Sequence, residues 1–111
     1  EDIIIANPEL DAFFCINDPS ALGAAAAIKG ENKTGEIGVY SIDASPEGKQ
    51  ALLDGEFTAV AAQVPLQMAE YSFNEAIKLL NGESNITEKK VYLDSHLVLE
   101  EEAKETLSNW Q

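Results

Sequence analysis

The sequence contains no arginine, and its seven lysines face twenty aspartates and glutamates, a formal charge of −13. Such a chain repels a phosphate backbone, and no basic stripe offsets the average, so no nucleic-acid partner is expected. The charge reads as a solvated acidic surface and carries no information about a substrate. There is one cysteine, Cys15, so an internal disulfide is impossible. It lies in the apolar run 12–16 with no partner base in view, and reads as a small buried hydrophobe. No apolar run approaches the roughly 18 residues of a membrane-spanning helix. Neither a phosphate-binding loop nor a G-x-G-x-x-G motif occurs, and there is no internal repeat or low-complexity tract. An initiating methionine and a secretory leader are also missing. Residues 1–6 read as the last turns of a helix closed by Asn7-Pro8, so a piece of a longer protein is expected.

What is present suffices for one small domain with one core: 111 residues, 45% of them hydrophobic and 24% charged. The chain is organised around residues 38–49, G-V-Y-S-I-D-A-S-P-E-G-K. Val39, Tyr40 and Ile42 suit a strand buried on both faces, which ends at Asp43. Ser45 then reads as a helix N-cap with Pro46 in the first turn, placing Asp43 at the carboxyl end of a strand, facing a helix's positive end. In an open α/β sheet that rim is where ligands bind.

The same grammar recurs on both sides. Residues 10–16 read as a buried strand, followed by a small-sided helix with Asp18 as N-cap and Pro19 at its start. Residues 36–42 form the second strand, 46–54 the second helix and 58–63 the third strand. Pro65 opens the longest helix, to about Leu80, with Leu66, Ala69, Phe73, Ala76, Ile77 and Leu80 on one stripe. Met68, Tyr71 and Leu79 widen that apolar surface. A polar loop over 81–90, short strands at 91–93 and 97–99, and a closing acidic helix over 100–110 complete the chain. The alternation predicts an α/β fold with an open, mostly parallel sheet and right-handed crossovers.

Three strands end on a planar polar group: Asn17, Asp43 and Gln63. Parallel strands bring such ends to one rim, where paired donors and acceptors suit neighbouring hydroxyls of a polyhydroxylated ligand. Capping and turn making are the competing explanation for Asn and Asp. They explain Gln63 poorly, because glutamine is a weak capping residue.

The segments N-P-E-L-D-A-F-F-C-I-N-D-P-S-A-L-G-A-A-A-A-I, I-G-V-Y-S-I-D-A-S-P-E-G-K-Q-A-L-L-D-G and F-T-A-V-A-A-Q-V-P-L-Q-M-A resemble, in order and spacing, the ribose-binding-protein group. These are type I periplasmic-binding-protein-like sugar receptors of ABC importers. The resemblance implies a three-layer αβα arrangement, the flavodoxin-like half of a two-lobe receptor. It further implies that Asn17, Asp43 and Gln63 contact a monosaccharide, that the membrane partner is an ABC permease, and that no metal or cofactor takes part. The place of action is outside the cytoplasm, in the periplasm or lipid-anchored at the cell surface. Residues 1–63 correspond to the carboxyl-terminal lobe. Residues 64–90 form a hinge crossing and a helix that packs on the other lobe, and 91–111 a return crossing with the terminal helix. Two departures stand out: Ser41 replaces the family's usual Gly, and Ala44-Ser45 replaces its common Asp/Gly turn. The lobe that supplies stacking aromatics and arginine is absent here. Phe14 and Tyr40, mid-strand, read as core.

By the same resemblance, a 111-residue chain standing alone leaves the helix from Leu66 to Leu80 uncovered, and self-association through it is expected. The effector domain of a LacI-type regulator is the alternative within the fold. It fits less well, since T-G-E-I-G-V stands where that group has V-P-x-D-I. An enzyme on a flavodoxin-like sheet is the alternative from another class. Its only candidate base is His96, with no nucleophile at a recognisable spacing. Glu100, Glu101 and Glu102 point in different directions on a helix, and read as first-turn acids rather than metal ligands.

Overall fold

Three of the four prolines stand in the first turn of a helix, where a missing N–H costs nothing and a fixed φ helps. In the computed structural model, which describes residues 1–83 and 90–110, a short helix α1 (Asp2–Ala6) precedes strand β1 (Ala12–Phe14). Helix α2 (Asp18–Gly30), strand β2 (Gly38–Asp43), helix α3 (Pro46–Leu53) and strand β3 (Ala59–Ala62) follow. Helix α4 (Pro65–Leu80), strand β4 (His96–Val98) and helix α5 (Glu100–Glu105) end the order. The polar loop expected over 81–90 falls largely outside the described residues.

The sheet runs β1-β2-β3-β4. β1, β2 and β3 are mutually parallel, with Phe13 opposite Val39 and Ser41 opposite Val60. Two right-handed crossovers stepping in one direction put α2 and α3 on the same face of the sheet. There they pack on each other, and α3 packs on α5. That face carries Val39, Ser41, Val60, Ala62 and Val98, all buried. α2 meets it with Ala21, Ala25 and Ile28, whose 3.6-residue spacing and small side chains let the helix lie close to the strands.

β4 is antiparallel to β3, with Val98 opposite Val60 and His96 beside Ala62, so the chain re-enters the sheet at the same end at which β3 leaves it, and the sheet is mostly parallel as expected. Three expectations need correction. Residues 91–93 form no strand. α5 stops at Glu105, after which the chain turns through Thr106 and is held by Lys49. Phe14 and Tyr40 are not core. They are neighbours in register on the sheet face that no described helix covers, and are 73% and 41% exposed.

α4 buries no residue; Leu66, Phe73 and Leu80 are 65%, 67% and 83% exposed. The molecule extends 59 × 31 × 16 Å with a radius of gyration of 18.3 Å. A compact domain of this length has about 13 Å. Two of the expected three layers are thus built by the described residues, with α4 projecting from them. No described helix is long and apolar enough to cross a membrane.

Candidate ligand-binding rim

β1, β2 and β3 deliver their carboxyl ends to one edge, and the polar residues there engage one another. Gln63, just past β3, donates from Nε2 to Oδ1 of Asp43 at 2.6 Å. The second oxygen of Asp43 faces the backbone N–H of Asp18 at 3.4 Å, in the first turn of α2. Asp43 therefore lies at the positive end of α2, not of α3 as its sequence position suggests. The cause is local: Asp43 and Ala44 have φ of 128° and 55°, and this left-handed pair turns the Asp43 side chain away from the helix that follows it.

The place at the start of α3 is taken by Asp18 instead. Its buried carboxylate accepts from Ser45 N–H at 2.8 Å, Ser45 Oγ at 2.7 Å and Ser41 Oγ at 2.5 Å. Ser45, the expected N-cap, accepts from Gly48 N–H at 3.0 Å. Thus the first residue of α2 reaches the start of α3, and the last residue of β2 reaches the start of α2. Ser41 and Ser45, two of the three positions that depart from the resembled pattern, both bind this one carboxylate.

Asn17 rather than Asp18 is the N-cap of α2. Its Oδ1 accepts from Ser20 N–H at 3.0 Å and from Ser20 Oγ at 2.6 Å. The capping explanation holds for that oxygen, while among the described residues no group accepts from its Nδ2. Asp18 was the residue that sequence reasoning missed as a part of the rim. Its signal lay in the run Asp18-Pro19, read as an ordinary cap.

Beside Asp43 a cavity of about 270 Å³ opens between the starts of α2 and α3, with Pro19, Leu22, Glu47 and Trp110 among its walls. A larger, shallower one of about 750 Å³ lies at the amino end of β1, remote from the polar strand ends. Small-ligand pockets enclose roughly 300–1,000 Å³, and of the three polar strand ends only Asp43 lines the smaller cavity. His96 is exposed at the start of β4, its Nε2 2.7 Å from Glu102 Oε1. Among the described residues no cluster of His, Cys, Asp and Glu could hold a metal ion.

A sequence model described as a periplasmic binding protein domain matches residues 1–84. The chain belongs to that family. It is 33% identical to the ribose import binding protein of Escherichia coli K12 over 101 residues, 91% of this chain and 33% of that protein. It superposes with a TM-score of 0.84 at 25% identity on a periplasmic solute binding protein of an ABC transporter from Actinobacillus succinogenes 130z, solved with bound D-allose, covering 94% of this chain and 36% of that one. A solute binding protein from Bacillus halodurans C-125 with bound myo-inositol gives 0.83 at 26% identity, over 96% and 36%. The chain spans about a third of the length of the curated relatives it matches.

Proposed function

We propose that this chain is the carboxyl-terminal portion of an extracytoplasmic receptor that delivers a monosaccharide to an ABC importer. Binding occurs by closure of two lobes, with no bond made or broken. The observation that carries this is the hydrogen-bonded pair Asp43–Gln63 at adjacent strand ends, with Asn17 past the end of the neighbouring strand, at the start of α2. Together they offer carboxylate, amide oxygen and amide N–H groups to a ring of hydroxyls. The relatives named above are import and periplasmic binding proteins, which favours a receptor over a LacI-type regulator and over an enzyme. In this reading residues 1–63 belong to one lobe, 64–90 cross to the other, and 91–111 return. The receptor works free in the periplasm or lipid-anchored at the cell surface, and its protein partner is the permease. Alone, the 111-residue chain pairs with a second copy through the helix from Leu66 to Leu80.

Titration calorimetry of the whole protein with D-ribose, D-allose and myo-inositol tests the site. Asp43→Ala is expected to weaken binding by roughly 2–4 kcal/mol, through loss of charge-assisted hydrogen bonds in a closed cleft. Gln63→Ala and Asn17→Ala are each expected to cost about 1–3 kcal/mol. An Asp43→Ala protein that binds as tightly as the parent overturns the assignment.

A further inference from the structure

Asp18 is 1% exposed, and its carboxylate is occupied by protein donors on both oxygens. Burying a carboxylate is costly unless such charge-assisted bonds replace water, so three donors converging on one side chain mark a fixed structural task. The donors flank a special place in the backbone. Ser41 stands two residues before Asp43, and Ser45 two residues after it. Between them Asp43 and Ala44 hold φ of 128° and 55°. Residues with a side chain occupy such conformations at a cost, and they persist only where the surroundings over-determine them. One carboxylate gripping both flanks supplies that determination. The surroundings leave it no freedom: a Cβ added at Gly48 would come within 2.1 Å of Asp18 Oδ2. The backbone N–H of the same Asp18 also faces Asp43 Oδ2.

We propose that Asp18 is a positioning residue. Held by Ser41 and Ser45, it locks the left-handed Asp43–Ala44 turn and so fixes where the Asp43 carboxylate points on the rim. The consequence for ligand rests on the sugar-binding reading above; the lock itself does not.

The test has two arms, both on the whole protein. The first uses no sugar: the Asp43 carboxyl carbon resonance and the exchange of the Ser45 amide are followed by NMR in the parent, Asp18→Asn and Ser41→Ala. Asp18→Asn is expected to move the Asp43 resonance and to speed Ser45 exchange by about tenfold or more, since a local opening is no longer resisted. An Asp43 resonance unmoved in both variants overturns the proposal. The second arm titrates D-ribose, D-allose and deoxyribose. Asp18→Asn is expected to weaken the better sugar by about tenfold and to narrow its advantage over deoxyribose, while changing affinity less than about twofold in an Asp43→Ala background. An equal loss in both backgrounds shows that Asp18 acts on stability alone, and overturns the proposal. Where Asp18→Asn does not fold, Ser41→Ala, which deletes one donor, carries both arms with smaller shifts in the same direction. A parent that binds none of the three sugars rejects the sugar-binding reading, and the first arm still decides the positioning.

Discussion

Two glycines inside helices show how differently one residue type is used along this chain. At Gly48, in the first turn of α3, the space for a Cβ is filled by the Asp18 carboxylate. At Gly23, in the middle of α2, nothing lies within 4 Å of that position. Gly23→Ala is therefore expected to raise stability by about 0.4–1 kcal/mol, through the entropy of the unfolded chain and better helix propensity. Gly48→Ala is expected to lower it by about 1–3 kcal/mol or more, because a packed buried anion must move. Urea unfolding of both variants checks the opposite signs, and two shifts of the same sign refute the account. The same residues explain what was legible of the rim. Asp43 and Gln63 could be read because each directly ends an apolar strand. Asp18 could not, because its partners Ser41 and Ser45 lie more than twenty positions away. The left-handed turn that exchanges the roles of the two carboxylates also has no sequence signature in Asp43-Ala44.

Among the elements, α5 depends on a residue of α3. Lys49 is fully buried, and its Nζ donates to Thr106 O at 2.5 Å, to Thr106 Oγ1 at 3.2 Å and to Asn109 O. Two carbonyls and a hydroxyl of the turn that follows α5 thus share one ammonium, and Thr106 O accepts from Asn109 N–H as well. Lys49→Met is expected to destabilise by about 1–3 kcal/mol, because the turn after α5 loses the donor to Asn109 O and Thr106 Oγ1, and to shift the Trp110 emission of the folded protein to the red. Burial pushes the Lys49 pKa down, with the Glu102 carboxylate opposing it. Between the lowered value and the ordinary one the unfolded chain holds more protons than the folded chain, so this group's contribution rises with pH across that window. The stability gap between parent and Lys49→Met should therefore widen on the way from neutral to alkaline pH. A gap that narrows contradicts the buried ammonium. This link spans more than fifty residues. It could not be read from a sequence in which Lys49 looks like a polar residue of an amphipathic helix. By contrast, α2, α3 and α4 were legible almost to the residue, because Pro19, Pro46 and Pro65 mark their starts. The direction of β4 was not, since alternation of strand and helix says nothing about the side from which it returns.

At the scale of the whole molecule, the dominant fact is apolar surface left in water. α4 exposes Leu66, Met68, Phe73, Ile77, Leu79 and Leu80, and the open sheet face exposes Phe14, Tyr40 and Leu97. Each large apolar side chain left uncovered forgoes roughly 1.5–3 kcal/mol, so several together favour finding a surface to pack on. The helix could fold back on its own sheet or pair with another chain. In the structure it does not fold back, and the 18.3 Å radius of gyration records this. In a protein three times as long, the remainder of the polypeptide has the size to cover both surfaces. For the 111-residue chain alone, a second copy is the available cover, and the segment around Val64, between β3 and α4, suits exchange between copies. Light scattering coupled to size exclusion should give about twice the 12.0 kDa chain mass at micromolar concentration. Phe73→Glu combined with Leu80→Glu should return it to the monomer, because neither side chain is buried within the chain and each charge would have to be desolvated at the contact. Neither form is expected to bind sugar measurably, since one rim cannot enclose a ligand. A clean monomer of the unmodified chain across that range would refute the pairing and leave a folded-back α4 as the solution state.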